Sequence, residues 1–248
     1  MASSTRYRYS QKTKDIGEAK NFSWEYPVPD NEFWNSLDFF IGRNFLKCFS
    51  EDEIQRMPLD STLSKMGKLE LLLQLLEEKL SAENAAAAPQ TLHDVNYDVW
   101  DQLLLGKCTM QWQLGLYADA EKTIRTLLDH RNDKTNLSYG HSLSALLDIQ
   151  GKYAEAEETE IPVQLWLDER LGKDSPQALG ARRTIAHAIW KQGAARQAEA
   201  KELFAEVMNL ISGMSGGQYA VYQEEQREIT EKMLADLEKC GAPTQPVT

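Results

Sequence analysis

A seven-residue pattern that occurs twice, and a third time in weaker form, constrains the fold of this 248-residue chain more than any other feature. Gly115-Leu116-Tyr117-Ala118-Asp119-Ala120-Glu121 returns 36 residues later as Gly151-Lys152-Tyr153-Ala154-Glu155-Ala156-Glu157. After a further 42 residues it returns as Gly193-Ala194-Ala195-Arg196-Gln197-Ala198-Glu199. Self-similarity at this spacing marks an array of small units, each unable to bury its own apolar face and therefore stacked on its neighbours. Apolar residues recur at helical spacing on both sides of each glycine, so each unit reads as two helices joined there. The glycine permits a tight turn, the alanine lets the two helices approach closely, and the aromatic residue plugs the pair.

These residues resemble the tetratricopeptide repeat (TPR) family. The 42-residue spacing, together with Leu171-Gly172-Lys173-Asp174-Ser175-Pro176, is similar to the subclass found in kinesin light chains. The resemblance spans Leu92 to Gly213, and its best copy carries Ala181, Ile185, Ala186, Ile189, Gln192, Gly193, Ala198, Glu199, Phe204 and Val207. The chain departs from the family pattern at Cys108, where a small residue is usual, at Ala195, where an aromatic is usual, and in lacking a proline at the end of the final copy. The resemblance implies an all-α, right-handed helical-repeat solenoid of three TPR-like helix pairs. Such a motif specifies fold far more than function.

Around the repeats the sequence predicts a mobile tail over 1–20, an aromatic-rich helical segment over 21–80, a linker over 81–91, the repeats over 92–215, a C-terminal capping helix over 216–240 and a tail over 241–248. Nine aromatics crowd the stretch from Phe22 to Phe49, so that segment must bury itself, as a cap on the first repeat or as a lid over the groove. Phe33, Leu37, Phe40 and Asn44 predict one helix starting at Asp30 or Asn31. Ser50 with Glu53 predicts a capping box for a short helix to Met57, and Thr62 to Leu80 predicts another helix. The alanine-rich run from Ser81 to Pro89 reads as the boundary. At the other end, Ala220, Tyr222, Ile229, Met233 and Leu237 give an amphipathic closing helix over Gln218 to Lys239.

Hydrophobic residues at 42% and charged residues at 26% suit a globular chain. With 27 basic and 38 acidic residues the net charge is −11, which repels a phosphate backbone and argues against nucleic acid as a partner. The three scattered cysteines, Cys48, Cys108 and Cys240, suit a reducing cytoplasm. No apolar core of a signal peptide and no membrane-spanning run is evident, so a membrane association is not expected.

Aligning the three glycines puts Leu105, Thr109 and Trp112, then His141, Ala145 and Asp148, then Arg183, His187 and Trp190 on the first helix of each pair. Each trio has the i, i+4, i+7 spacing of one helix face, the face that lines the concave surface of a TPR stack. The predicted binding residues are therefore Thr109, Trp112, His141, Arg183, His187 and Trp190. A groove with aromatic walls and a few polar groups suits a peptide, a partner protein or a small ligand. The leading functional reading is a cytosolic adaptor. The alternative is a small cofactor-independent enzyme of specialised metabolism, an isomerase, cyclase or lyase, with His187 and Asp148 as its acid–base pair and Arg183 as an anion clamp.

Other patterns carry less. Gly213-Met214-Ser215-Gly216-Gly217 matches a nucleophile elbow in letters but reads as a glycine-rich helix end, since no strand precedes it. Asp94, Asp98 and Asp101 suit helix starts, and Glu155, Glu157, Glu158 and Glu160 read as a solvated acidic face that could also meet a basic partner. No phosphate loop, zinc-ligand spacing or dinucleotide fingerprint occurs, so no metal and no cofactor is expected.

Overall fold

A computed structural model of the chain describes residues 5–6, 26–133, 135 and 137–240. They divide into two compact units, Met1–His130 and Arg131–Thr248.

In the first unit Thr5–Arg6 (β1) pairs antiparallel with Val28–Pro29 (β2), Arg6 opposite Val28. The rest of the expected tail over 1–20, like that over 241–248, lies outside the described residues. Where one helix was expected from Phe33 to Asn44, the chain makes α1 (Glu32–Asn35) and α2 (Phe39–Leu46). Asn31 caps α1 by accepting from the Trp34 amide at 3.1 Å. The Ser36 hydroxyl donates back to the Phe33 carbonyl at 2.7 Å, a local bond that competes with continuing the helix. The capping box forms as expected on α3 (Glu51–Arg56), with Glu53 accepting from the Ser50 amide at 2.7 Å.

The expected linker is mostly helix. α4 (Lys65–Ala87) continues through Ser81 to Ala87, because alanine is the best helix former and Asn84 bonds back to the Leu80 carbonyl at 2.8 Å. It stops where Pro89 forces Ala88 out of the helical region, with ψ at 140°. α5 (Leu92–Val95), α6 (Tyr97–Gln113) and α7 (Tyr117–His130) follow. The aromatic segment is the core of this unit. Phe33, Trp34 and Phe45 pack with Leu69, Leu72 and Leu76 of α4 and with Leu103 and Met110 of α6.

The second unit contains α8 (Ser138–Ile149), α9 (Tyr153–Leu171), α10 (Pro176–Lys191), α11 (Gln197–Ser212) and α12 (Gln223–Cys240). α11 ends into Gly213, the helix-end role expected for the glycine-rich stretch. The pairs α6–α7, α8–α9 and α10–α11 are the three repeats, and the all-α helical-repeat fold read from the sequence is the one observed.

The first two turns are alike. Gly115 and Gly151 take φ of 76° and 77°, a conformation that strains any residue with a side chain. The Leu116 and Lys152 amides then reach back to the Gln111 and Leu147 carbonyls, both at 2.9 Å. The third turn departs. Gly193 has φ 123°, and a 3-10 turn over Ala194–Arg196 intervenes before α11 begins. Each second helix nonetheless buries its fourth residue completely, Ala120, Ala156 and Ala200. Ala198, which the glycine alignment places at this point, is exposed. Two extra turn residues rotate the helix phase by about 200°, to the opposite face.

Candidate functional site

Thr109 and Trp112 belong to the first unit. Thr109 is covered: Asn44 of α2 donates to its hydroxyl at 3.0 Å, and the hydroxyl donates to the Leu105 carbonyl at 2.9 Å. That face of α6 therefore contributes buried structure at Thr109, where an open groove residue was expected, because α2 lies across it. Trp112 is half-buried.

The second unit brings together the pair predicted for chemistry. His187 Nδ1 on α10 lies 2.8 Å from Asp148 Oδ1 on α8. A carboxylate there fixes the proton on Nδ1 and leaves Nε2 for a ligand. The Tyr153 ring, at the start of α9, stands edge-on to His187 at 6.4 Å. His187 lines a solvent-open cleft of about 380 Å³ between α10 and α12, with Lys191 beside it and Ile229, Met233 and Leu237 along the α12 side. Lys232 and Asp236 on its rim pair with each other at 2.6 Å, whereas Lys191 has no ion-pair partner among the described residues.

Arg183 and Trp190 are not on an open face. α12 packs on α10 as well as on α11, and Gln226 and Thr230 accept from the Arg183 guanidinium at 2.9 and 3.3 Å. Trp190 is buried with Ile185, Ile189, Phe204 and Leu237, and Lys201 lies 5.5 Å from its ring centroid. The i, i+4, i+7 rule is right that these residues share a helix side. It cannot foresee that α12 covers the two ends of the row and leaves His187 between them.

His141 meets a residue not chosen for the site. Its Nδ1 lies 2.5 Å from Glu160 Oε1 on α9. Glu160 is fully buried, and its second oxygen has no hydrogen-bond partner among the described residues. Glu160 occupies the eighth position of α9, which in the other two copies holds the buried apolar residues Ile124 and Phe204. A carboxylate in a core slot requires a charge partner. Burial of the His141 ring opposes its protonation, but attraction to Glu160 and the hydrogen bond between them outweigh both that and repulsion from Arg183, so its pKa lies above the ordinary histidine value. Comparing Ile124 with Glu160 across copies was the sequence signal that could have found this pair.

The acidic cluster on α9 is thus divided. Glu160 is buried against His141, while Glu157 binds Arg196 bidentately and accepts from Gln192 at 2.6 Å. Among the described residues no group of three or more His, Cys, Asp or Glu side chains is placed to hold a metal ion. No described helix is long and apolar enough to cross a membrane. Cys48 and Cys108 are unbridged, and burial pushes both thiols up to about 12, leaving them unreactive.

No family model matches the sequence, and no curated protein matches it. Among solved structures the chain is similar to a protein of Podosopora anserina described by its kinesin-light-chain nearly identical TPR-like repeats. A single-substitution form of that protein aligns with 17% identity and a TM-score of 0.50, over 70% of this chain and 86% of that one. A second crystal structure of it aligns with 17% identity and a TM-score of 0.49, over 70% and 87%. An identity this low speaks to architecture alone, and together with the repeated helix pairs and their glycine turns it gives this chain the TPR-like helical-repeat fold.

Proposed function

We propose that this chain is a cytosolic adaptor, a TPR-like scaffold that holds a peptide from a partner protein in the cleft between α10 and α12. The observation that carries this reading is the composition of that cleft, an aliphatic wall of Ile229, Met233 and Leu237 facing His187 and Lys191, the latter without an ion-pair partner among the described residues. Such a site selects a peptide that sets an apolar side chain beside an anionic group, since the first is desolvated and the second finds the Lys191 ammonium, while His187 Nε2 accepts from an N–H of the peptide. Asp148 serves by holding the imidazole in place. The same pair suits acid–base catalysis, but a cleft open to water screens the charges such chemistry must stabilise, so binding is the better use of this geometry.

The test is affinity capture with the wild-type chain, Met233→Glu and His187→Ala, followed by mapping of the captured protein as overlapping peptides. Wild type should retain a partner through a peptide containing a carboxylate next to an apolar residue, and both variants should lose it while keeping their helical circular dichroism. Equal capture by folded variants would sink the assignment to this cleft.

A further inference from the structure

α9 carries on its outer side a stripe that the fold does not use. Ile161 is 41% exposed and Leu165 56%, two large aliphatic side chains one turn apart on a helix whose outward positions are otherwise charged or small. Pro162 sits between them, exposed and inside the helix. An interior proline destabilises a helix. It also has no N–H to give the Glu158 carbonyl, which is left without its ordinary helical donor on the same face. At a rotation of 100° per residue, Glu158, Ile161, Pro162, Leu165 and Glu169 fall within one arc, with the aliphatic pair along one edge and the glutamates beside it. Glu158 and Glu169 are exposed and have no partner among the described residues, unlike Glu157 and Glu160. From Glu158 to Glu169 the stripe runs about 16 Å, three turns.

We propose that this face of α9 docks a cationic amphipathic helix of a partner protein. Ile161 and Leu165 seat the partner's apolar stripe. Glu158, its free carbonyl and Glu169 accept from lysines or arginines one turn to either side. The charge argument favours a basic partner over a second copy of this chain, since the net charge of −11 sets two copies against each other. The inference is independent of the cleft between α10 and α12.

The test uses a fluorescein-labelled synthetic helix of about five turns with leucines at i, i+3, i+4, i+7 spacing and lysines flanking them, and a control of the same composition in scrambled order. Anisotropy titrations should show the amphipathic peptide binding about tenfold or more tighter than the scrambled one. Ile161→Ser with Leu165→Ser should remove that preference without changing the melting temperature. Glu158→Lys should weaken binding of the lysine peptide and restore it to a glutamate-flanked version, and the amides from 158 to 169 should exchange more slowly in the complex. Equal affinity of the two peptides for wild type, or of wild type and the serine variant for the amphipathic one, overturns the proposal. So does a wild-type dimer in sedimentation, without peptide, that the serine variant breaks, because the occupant is then a second copy.

Discussion

The hydroxyl of Ser144 on α8 donates to the carbonyl of Ala156 on α9 at 2.8 Å, tying the two helices where the alanine lets them meet. Thirty-six residues earlier the Cys108 thiol makes the same contact to the Ala120 carbonyl at 3.5 Å. In the third pair the donor's place is taken by Ala186, which packs in one apolar cluster with Ala200. A large charged group at these meeting points has nowhere to go. Ala156→Arg and Ala200→Arg should each cost several kcal/mol, at least about 3, through overpacking and charge burial, whereas Ala198→Arg should stay within about 0.5 kcal/mol. Thermal melts of the three variants decide it. A damaging Ala198→Arg with a harmless Ala200→Arg would restore the glycine-anchored register.

The buried guanidinium of Arg183 separates folding from binding on α10. Arg183→Met keeps the volume but strands the side-chain acceptors of Gln226 and Thr230, and should lower stability by about 2–3 kcal/mol. Lys191→Met, the residue after Trp190 but on the side of α10 that lines the cleft, should change stability by less than about 0.5 kcal/mol and should weaken an anionic peptide. Urea titrations on both variants check the contrast. An Arg183→Met protein as stable as wild type would mean that α12 does not hold to α10 through this residue.

The His141–Glu160 pair makes stability depend on pH. The folded pKa of His141 is raised above the unfolded value of about 6.5, so its contribution is complete below that pH and is lost as pH rises through the folded pKa. Glu160→Leu fills a slot that holds Ile124 and Phe204 in the sister repeats and removes the dependence with its partner. Melting temperatures from pH 6 to pH 8.5 should fall more for wild type than for Glu160→Leu, and the variant should be as stable as wild type or more so at the alkaline end. The difference between the proteins is the informative quantity. His93 has a pKa raised by the His130 carbonyl and Asp94 and acts with the same sign in both. Parallel pH curves would contradict the pair's role.

The repeat turns, the helix pairs and the Ser50–Glu53 box were legible because each is a local rule, satisfied within a few residues. His187 with Asp148 was legible too, since neighbouring first helices present the same face and a one-turn offset brings the side chains together. What was hidden depended on partners distant in sequence. Thr109 looked open until α2 crossed it, and Arg183 and Trp190 looked open until α12 lay against them. The face of α12 that does this, Ile229, Met233 and Leu237, stood out as amphipathic, but periodicity says that a face is buried or bound and not against what.

The 3-10 turn at Ala194–Arg196 has a consequence for the period of the array. Because it absorbs two additional residues before α11 begins, everything after it re-enters in phase, with Ala200, Phe204 and Val207 buried in the order of Ala120, Ile124 and Leu127. An insertion at a hinge of this kind leaves the interior untouched while shifting the letters of the text. The packing period and the sequence period therefore part company within one chain, the buried alanines Ala156 and Ala200 standing 44 residues apart where the glycines Gly151 and Gly193 stand 42 apart.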